Sequence, residues 1–375
     1  MMAKNSKISS SQLCVILLAV LTSMRPILEN SIQAQLVGND CIITCFIALI
    51  INLSLALLIC YVMNKNPGKS FYDILKNLLG DKITKLLLFM LGLVFTFKLL
   101  LIDYQMSFLL HDAIYADIDW LLFTIPVFCM FIFISIKGIK TIARSYQLIV
   151  PFAMLTLLVV FFLSFGNADF ENVLPLFDHT TGTLIKGLSN ILIQSCSYIF
   201  LFTLMENVVS SDKHFFLKII ITLCVIFAIV LSLYILFVAV LGKMAPFVQE
   251  SLIKMTQFRD NTYGYFKIDV FITVFWIPLI IMQASFCTYS ISYCMEKSLG
   301  LSRNITSIAV IALLFITKYI PQINNYTVSR FFYEKIGVFV LGFVLLLPIV
   351  LVIASFKKEK VKKWVKNFLK SINIL

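Results

Sequence analysis

Long apolar stretches recur along nearly the whole chain and limit what it can fold into. A helix needs about 20 apolar residues to cross the hydrocarbon core of a bilayer, and inside that core it satisfies its own backbone polar groups. Ten such stretches cover residues 11–31, 40–63, 83–110, 119–136, 145–166, 183–206, 216–241, 268–294, 304–320 and 334–355. The pattern predicts an all-α polytopic membrane protein with ten transmembrane helices.

Composition and charge agree with that prediction. Hydrophobic residues make up 60% of the chain and charged residues 13%, whereas soluble domains are about 45–50% apolar. A net charge of +12 would suit a nucleic-acid partner, but the lysines fall in short loops and in the C-terminal segment. Membrane topology explains that placement better, so we expect no nucleic-acid partner.

The distribution of basic residues predicts the orientation in the membrane. With a cytoplasmic N-terminus, 21 lysines and arginines fall in inside segments and seven in outside segments. Positive charge is enriched on the cytoplasmic side, so both termini are predicted to be cytoplasmic. Residues 1–355 then form one ten-span domain, and residues 356–375 form a basic amphipathic cytoplasmic tail whose lysines meet lipid headgroups.

A short amphipathic segment, residues 66–80, separates the second and third spans. Ser70 and Asp73 match an N-terminal capping box, and Gly80 is suited to end a helix. The apolar residues between them share one face. The segment is predicted to be a helix that lies flat on the inner leaflet.

Ten spans divide into five plus five, and an odd number in each half gives the halves opposite orientations. That arrangement is an inverted repeat. The first span of each half is interrupted by polar residues, at 22–26 and at 194–197. Helix breaks at membrane depth occur where the backbone lines a cavity, so the paired breaks indicate a substrate site near the midplane. The alternative is that these small residues pack against a neighbouring helix.

Charged residues within the spans are functional candidates, because burying a charge in a membrane is costly. Arg25 lies at the first break, with Glu29 one helical turn further on. Arg25 could meet a substrate carboxylate, or the two could form a structural ion pair near the outer surface. Lys98 and Asp103 lie in the third span, where Lys98 could relay protons or could pair with another helix.

Polar residues also follow one face of the eighth span. Ser285, Thr288, Tyr289 and Ser292 share this face. Their hydroxyls could coordinate a cation or line a water path, or they could form hydrogen bonds between helices. Glu206, at the cytoplasmic end of the sixth span, would suit an inner gate or a solvated helix end.

The sequence offers little for catalysis or for a cofactor. The nine cysteines form no CxxC pattern, and His111, His179 and His214 fall in predicted loops. Neither a phosphate-binding glycine loop nor a nucleophile with an adjacent base is present at membrane depth. We predict no metal, no cofactor and no catalytic residues, and therefore a protein that is not an enzyme.

Five segments resemble the spore germination permease family, the B subunits of germinant receptors (GerAB/GerKB-like). They are KISSSQL before the first span, PGKSFYDILKNLLG after the second, KGIKTIAR before the fifth, NVLPLF before the sixth and YFKIDVFITVFWI opening the eighth. The resemblance implies an APC-superfamily protein with a LeuT-like 5+5 inverted repeat in the inner spore membrane. It also implies partners, an A subunit with a soluble domain and a lipoprotein C subunit, and a nutrient germinant, commonly an amino acid, that is bound rather than accumulated.

This chain departs from the family pattern at the first break, where Ser23, Met24 and Arg25 replace glycine-containing small residues, and at Lys267, where arginine is usual. Combining the resemblance with the breaks and the polar residues gives a set of predicted site residues. The predicted substrate-binding residues are Ser23, Arg25, Ser195, Ser197, Tyr198 and Thr288, and the predicted ion- or proton-coupling residues are Lys98, Asp103 and Ser285.

Three functions fit these features. The first is the membrane subunit of a germinant receptor that binds a small nutrient at the midplane and triggers germination. The second is a secondary amino-acid transporter coupled to Na⁺ or H⁺. The third is an element that conducts water or ions without a nutrient pocket.

Overall fold

The computed structural model describes residues 7–22, 30–108, 120–208, 214–248, 255, 268–319 and 335–355, and most of these residues are helical. The helices of the described ranges are α1 (Ser10–Thr22), α2 (Asn30–Val37), α3 (Cys41–Lys65), α4 (Phe71–Leu79), α5 (Asp81–Phe108), α6 (Trp120–Lys137), α7 (Ile139–Phe165), α8 (Thr181–Ser195), α9 (Phe200–Leu204), α10 (Phe215–Leu241), α11 (Ile268–Leu299), α12 (Arg303–Tyr319) and α13 (Lys335–Ser355).

Seven helical segments of the described chain are long and apolar enough to cross a membrane. They are Asn30–Lys65, Asp81–Tyr104, Ile139–Phe165, Thr181–Leu204, Phe215–Phe247, Val274–Leu299 and Lys335–Ser355. Three shorter apolar helices lie within the remaining predicted spans: Ser10–Thr22, Thr124–Lys137 and Arg303–Thr317. The multi-pass helical architecture is thus confirmed. The count of ten crossings and the division at residue 355 stay predictions, and the predicted tail lies outside the described residues.

Helix α11 occupies the centre of the bundle. It packs against α5, α6, α7 and α12, while α1 packs between α7 and α10, and α3 contacts α8 and α10. The polar residues of α11, including Ser285 and Thr288, are buried. By contrast, α7 exposes large apolar side chains at helical spacing, among them Leu148, Leu155 and Phe162. Such an exposed apolar stripe is suited to contact with lipid.

Helix α4 forms as its sequence predicts. The Ser70 hydroxyl accepts a hydrogen bond from the Asp73 N–H at 3.0 Å, and the Asp73 carboxylate accepts one from the Ser70 N–H at 3.2 Å, which completes the capping box. The helix ends at Gly80, whose φ of +79° favours glycine.

The apolar face of α4 is directed toward the protein. Phe71, Ile74 and Leu75 are buried, and the Phe71 ring lies 4.5 Å from the ring of Phe202 in α9. On this face Phe71 thus packs against protein, through its contact with Phe202. That the helix lies flat on the inner leaflet stays a prediction. On the exposed face, the hydrogen bond that Lys76 donates to the Asp81 carboxylate raises the pKa of Lys76 above its ordinary value, and Tyr72 adds to the effect.

Candidate functional site

The sixth predicted span is broken where its polar cluster lies. Helix α8 ends at Ser195, Cys196 leaves the helical conformation with φ −67° and ψ 34°, and a single 3₁₀ turn leads into α9. The break predicted at 194–197 is therefore confirmed. The other predicted break, at 22–26, falls mostly in residues 23–29, which lie outside the described residues. The predicted site residues Ser23 and Arg25 are among them.

A buried lysine meets the end of α8. The Lys98 ammonium donates a hydrogen bond to the Gln194 carbonyl at 3.1 Å, and the lysine is only 6% exposed. The last carbonyls of a helix have no partner within the helix and carry its partial negative charge. The Lys98 ammonium, carried by α5, therefore lies at the negatively polarised C-terminal end of α8 at the break.

Further polar side chains surround the end of α8. The Asn52 amide nitrogen donates to the Ser195 hydroxyl at 2.6 Å, and both residues are buried. The amide oxygens Oδ1 of Asn52 and Oε1 of Gln194 are buried and have no hydrogen-bond partner within the described part of the chain. The break thus combines one cation with two unpaired acceptor oxygens.

The Gln33 amide connects α2 to α8 above the break. Oriented with its nitrogen toward α8, it donates to the Gly187 carbonyl at 3.2 Å and accepts from the Ile191 N–H at 3.1 Å. A Cβ at residue 187 would lie 2.6 Å from Cγ1 of Val37, so only glycine permits this approach. The half-helices that flank the two predicted breaks are in direct contact.

The other predicted site residues have different surroundings. Tyr198 is fully buried and its hydroxyl donates to the Val344 carbonyl of α13 at 3.2 Å, while Ser197 is buried beside it. The hydroxyls of Ser285 and Thr288 donate to carbonyls one turn earlier in α11, at 2.8 and 3.0 Å. Asp103 is buried on α5, and its side chain is not without an interaction partner.

A chain of three serines links α11, α12 and α6. The Ser292 hydroxyl lies 2.8 Å from that of Ser307, which lies 3.1 Å from that of Ser135. All three are buried. For this part of the α11 stripe, hydrogen bonding between helices is the interpretation that the structure supports. Sequence analysis missed Ser135 and Ser307, because a single serine in an apolar span carries little signal.

At the end of the bundle where α3 begins, a buried carboxylate holds the loop before α8. Asp40 is fully buried and accepts hydrogen bonds from the backbone N–H groups of Phe177 and His179 and from Nδ1 of His179, the last two at 3.0 and 3.1 Å. Next to it, the Asn39 side chain donates to the Asn172 carbonyl at 3.0 Å. We call this region, residues 38–40 with 169–180, the Asp40 end. Sequence analysis assigned Asp40 no role.

The opposite end of the bundle, which we call the Glu206 end, comprises residues 7–9, 204–208 and 289–303. The Glu206 carboxylate accepts from the Tyr293 hydroxyl at 3.3 Å and lies 3.5 Å from the Lys297 ammonium. Arg303 forms an ion pair with Glu296 and lies over the Tyr293 ring at 5.7 Å. Glu206 is therefore part of a polar network rather than a solvated helix end.

The N-terminal segment is attached to the Glu206 end through its backbone. The Ile8 N–H donates to the Asn207 carbonyl at 2.9 Å, and Ile8 forms an isolated β-bridge with Val208. The start of the first span and the end of the sixth are thereby joined.

Comparison with known proteins adds a family and a fold. A family model described as "Spore germination protein" matches residues 7–327. None of the curated proteins compared with the chain matches it. Among solved structures, that of MhsT in complex with L-phenylalanine is similar, with a TM-score of 0.64 and 14% identity over 93% of this chain and 96% of that chain. MhsT has the LeuT fold. At 14% identity, the similarity supports a shared fold and nothing further about function.

Proposed function

This chain belongs to the spore germination permease family and has a LeuT-like fold, and we propose that it is the membrane subunit of a germinant receptor. It binds a small nutrient, an amino acid, at the break between α8 and α9 and thereby triggers germination. Its partners are the A and C subunits of the receptor, and it resides in the inner spore membrane with both termini in the cytoplasm. The observation that carries the proposal is the break itself, which places Lys98 and unpaired polar atoms in the interior.

Ligand binding uses the residues around the break. Ser195, Ser197 and Thr288 supply small polar side chains, Tyr198 fixes the turn against α13, and Ser23 and Arg25 are proposed to complete the site from the first span. The half-helices on either side of the break exchange between two arrangements, and the bound ligand favours one of them. The size of this shift is set by the difference between the ligand's affinities for the two arrangements.

Helix α9 transmits the conformational change caused by ligand binding from the break to the protein surface. Phe200, just after the break, stacks on Phe286 at 4.5 Å and lies 5.2 Å from Phe95. Two residues later Phe202 contacts Phe71 of α4. A shift of α9 on ligand binding therefore moves α4, whose exposed face is available to partner subunits.

Secondary amino-acid transport is the second candidate function. The buried, titratable Lys98 favours it, because ionisable groups inside a membrane often serve in proton coupling. Lys98, Asp103 and Ser285 are the proposed coupling residues in that case.

A deletion of the gene separates the two functions. Spores that lack it are screened for germination with a panel of amino acids, salts and nucleosides, and growing cells are assayed for amino-acid uptake. Loss of the response to one nutrient with intact uptake is the result expected of a receptor. Normal germination with impaired uptake would contradict the receptor and establish the transporter.

A further inference from the structure

Lys98 differs in burial and in the nature of its partner from the lysines and the arginine that form ion pairs in the described chain. Lys76, Lys297 and Arg303 form ion pairs with carboxylates and are partly exposed. Lys98 is buried, and within the described ranges its hydrogen-bond partner is the neutral Gln194 carbonyl, with no carboxylate within ion-pair distance. Among the residues that the structure describes, the break therefore holds a buried cation with no carboxylate partner.

This arrangement is energetically incomplete. An ammonium group has three hydrogens to donate, and one is used at Gln194. Burying a charge away from water is costly unless it is paired and hydrogen-bonded. An anionic group that enters the break would satisfy the remaining donors and compensate the charge.

The complementary chemistry lies beside it. Oδ1 of Asn52 and Oε1 of Gln194 are buried acceptors without partners, and Asn52 itself is 1% exposed. Unpaired acceptors of this kind suit a hydrogen-bond donor, and a cationic donor above all. Asn52 is fixed to the break through its bond to Ser195.

We propose that Lys98 binds the carboxylate of the nutrient and that the amide oxygens of Asn52 and Gln194 bind its ammonium group. The ligand class is then the zwitterionic amino acids. This inference rests on the proposed nutrient-binding function and refines it, since it makes Lys98, rather than Arg25, the carboxylate partner and a binding residue rather than a coupling residue.

The test uses the full chain purified into lipid nanodiscs, with the twenty standard amino acids and the carboxamide of each as probes. Binding is followed by the shift in melting temperature and quantified by titration calorimetry. We expect an amino acid to bind and its carboxamide, which lacks the negative charge, to bind at least about 30-fold more weakly, because a charge-assisted hydrogen bond is lost. Lys98→Met should weaken binding of the acid by a similar factor, while Lys98→Arg should retain most of it.

The melting temperature without ligand distinguishes binding from a structural role. If Lys98 serves the ligand, Lys98→Met removes an uncompensated buried charge and the unliganded protein melts at the same temperature or higher. If Lys98 only caps α8, the unliganded variant melts lower and still binds the acid as the wild type does, and the inference is overturned. Lys85→Met is the matched control, because Lys85 lies on the same helix but is exposed and paired with Asp81; it should bind like the wild type.

Two further outcomes would overturn the proposed role of Lys98 but would remain compatible with a germinant receptor. One is a carboxamide that binds as tightly as its acid. The other is a protein that binds an uncharged nucleoside and no amino acid, with a germination defect in deletion spores for that same nucleoside.

Discussion

The Asp40 end and the Glu206 end lie at opposite ends of the helical bundle, and their carboxylates differ in burial and in hydrogen bonding. At the Asp40 end a fully buried carboxylate accepts three hydrogen bonds, two from the loop backbone N–H groups of Phe177 and His179 and one from the His179 ring. At the Glu206 end the carboxylate is about a quarter exposed, and its contacts to Lys297 and Tyr293 are longer, at 3.5 and 3.3 Å.

The difference indicates which end moves. Removing the buried Asp40 carboxylate breaks three hydrogen bonds to a charged acceptor and costs free energy for each of them. A partly exposed ion pair contributes little, because water replaces it. Residues 204–208 of the Glu206 end also adjoin α9, a helix of five residues that follows the break after a single 3₁₀ turn. We therefore expect ligand-linked motion to be largest at the Glu206 end.

The largest effect is expected from Asp40→Ala. Two backbone N–H groups and the His179 ring lose their buried acceptor, so the free energy of unfolding should fall by about 3 kcal/mol. Thermal unfolding in detergent micelles measures the change. Asp178→Ala is the control in the same loop, because Asp178 is exposed; equal losses for the two variants would refute the role given to Asp40.

Phe202→Leu tests the connection from α9, which leads into the Glu206 end, to α4. The smaller side chain loses ring contact with Phe71, and roughly 1–2 kcal/mol of stability should be lost. Germination of spores carrying the variant should decline, while nutrient binding by the purified protein stays within about two-fold. Phe162→Leu on the exposed face of α7 is the control. A normal germination response at normal protein level would exclude α4 as the route of the signal.

Glu206→Gln should have the smallest effect on stability, below about 1 kcal/mol, yet it should change the dynamics of one end. We expect faster hydrogen exchange in residues 204–208 and unchanged exchange in residues 176–180. Glu171→Gln, an exposed substitution near the Asp40 end, should leave both segments unchanged. Faster exchange at both ends in Glu206→Gln would show that the two ends are not independent.

The comparison also predicts a contrast without substitution. In the wild type, the N–H of Ile8 should exchange faster than the N–H of His179, although both are hydrogen-bonded. The measurement is amide exchange with mass spectrometry on the protein in nanodiscs. Equal protection would mean that the two ends open together.

Features encoded locally could be predicted from the sequence. Apolar windows located the helices, the polar residues at 194–197 located the break, and Ser70 with Asp73 located the start of α4, because each depends on residues a few positions apart. Contacts between distant residues could not be predicted in this way. Lys98 and Gln194 are separated by 96 positions, and Asp40 and His179 by 139.

The orientation of an amphipathic face shows the same limit. The apolar side of α4 was evident from its spacing, but whether that side meets lipid or protein depends on the position of Phe202. Likewise, the sequence identified Lys98 as a charge at membrane depth without indicating that it lies at the end of α8.

The contact between α2 and α8 carries a consequence for how such sequences diverge. The Gln33 amide bonds the Gly187 carbonyl and the Ile191 N–H, two groups that pair with each other in a regular helical turn. Because a Cβ at residue 187 would overlap Val37, a larger residue there requires a smaller one at position 37. Among relatives, positions 37 and 187 are therefore expected to covary in size, and an inherited change at one should be followed by a compensating change at the other.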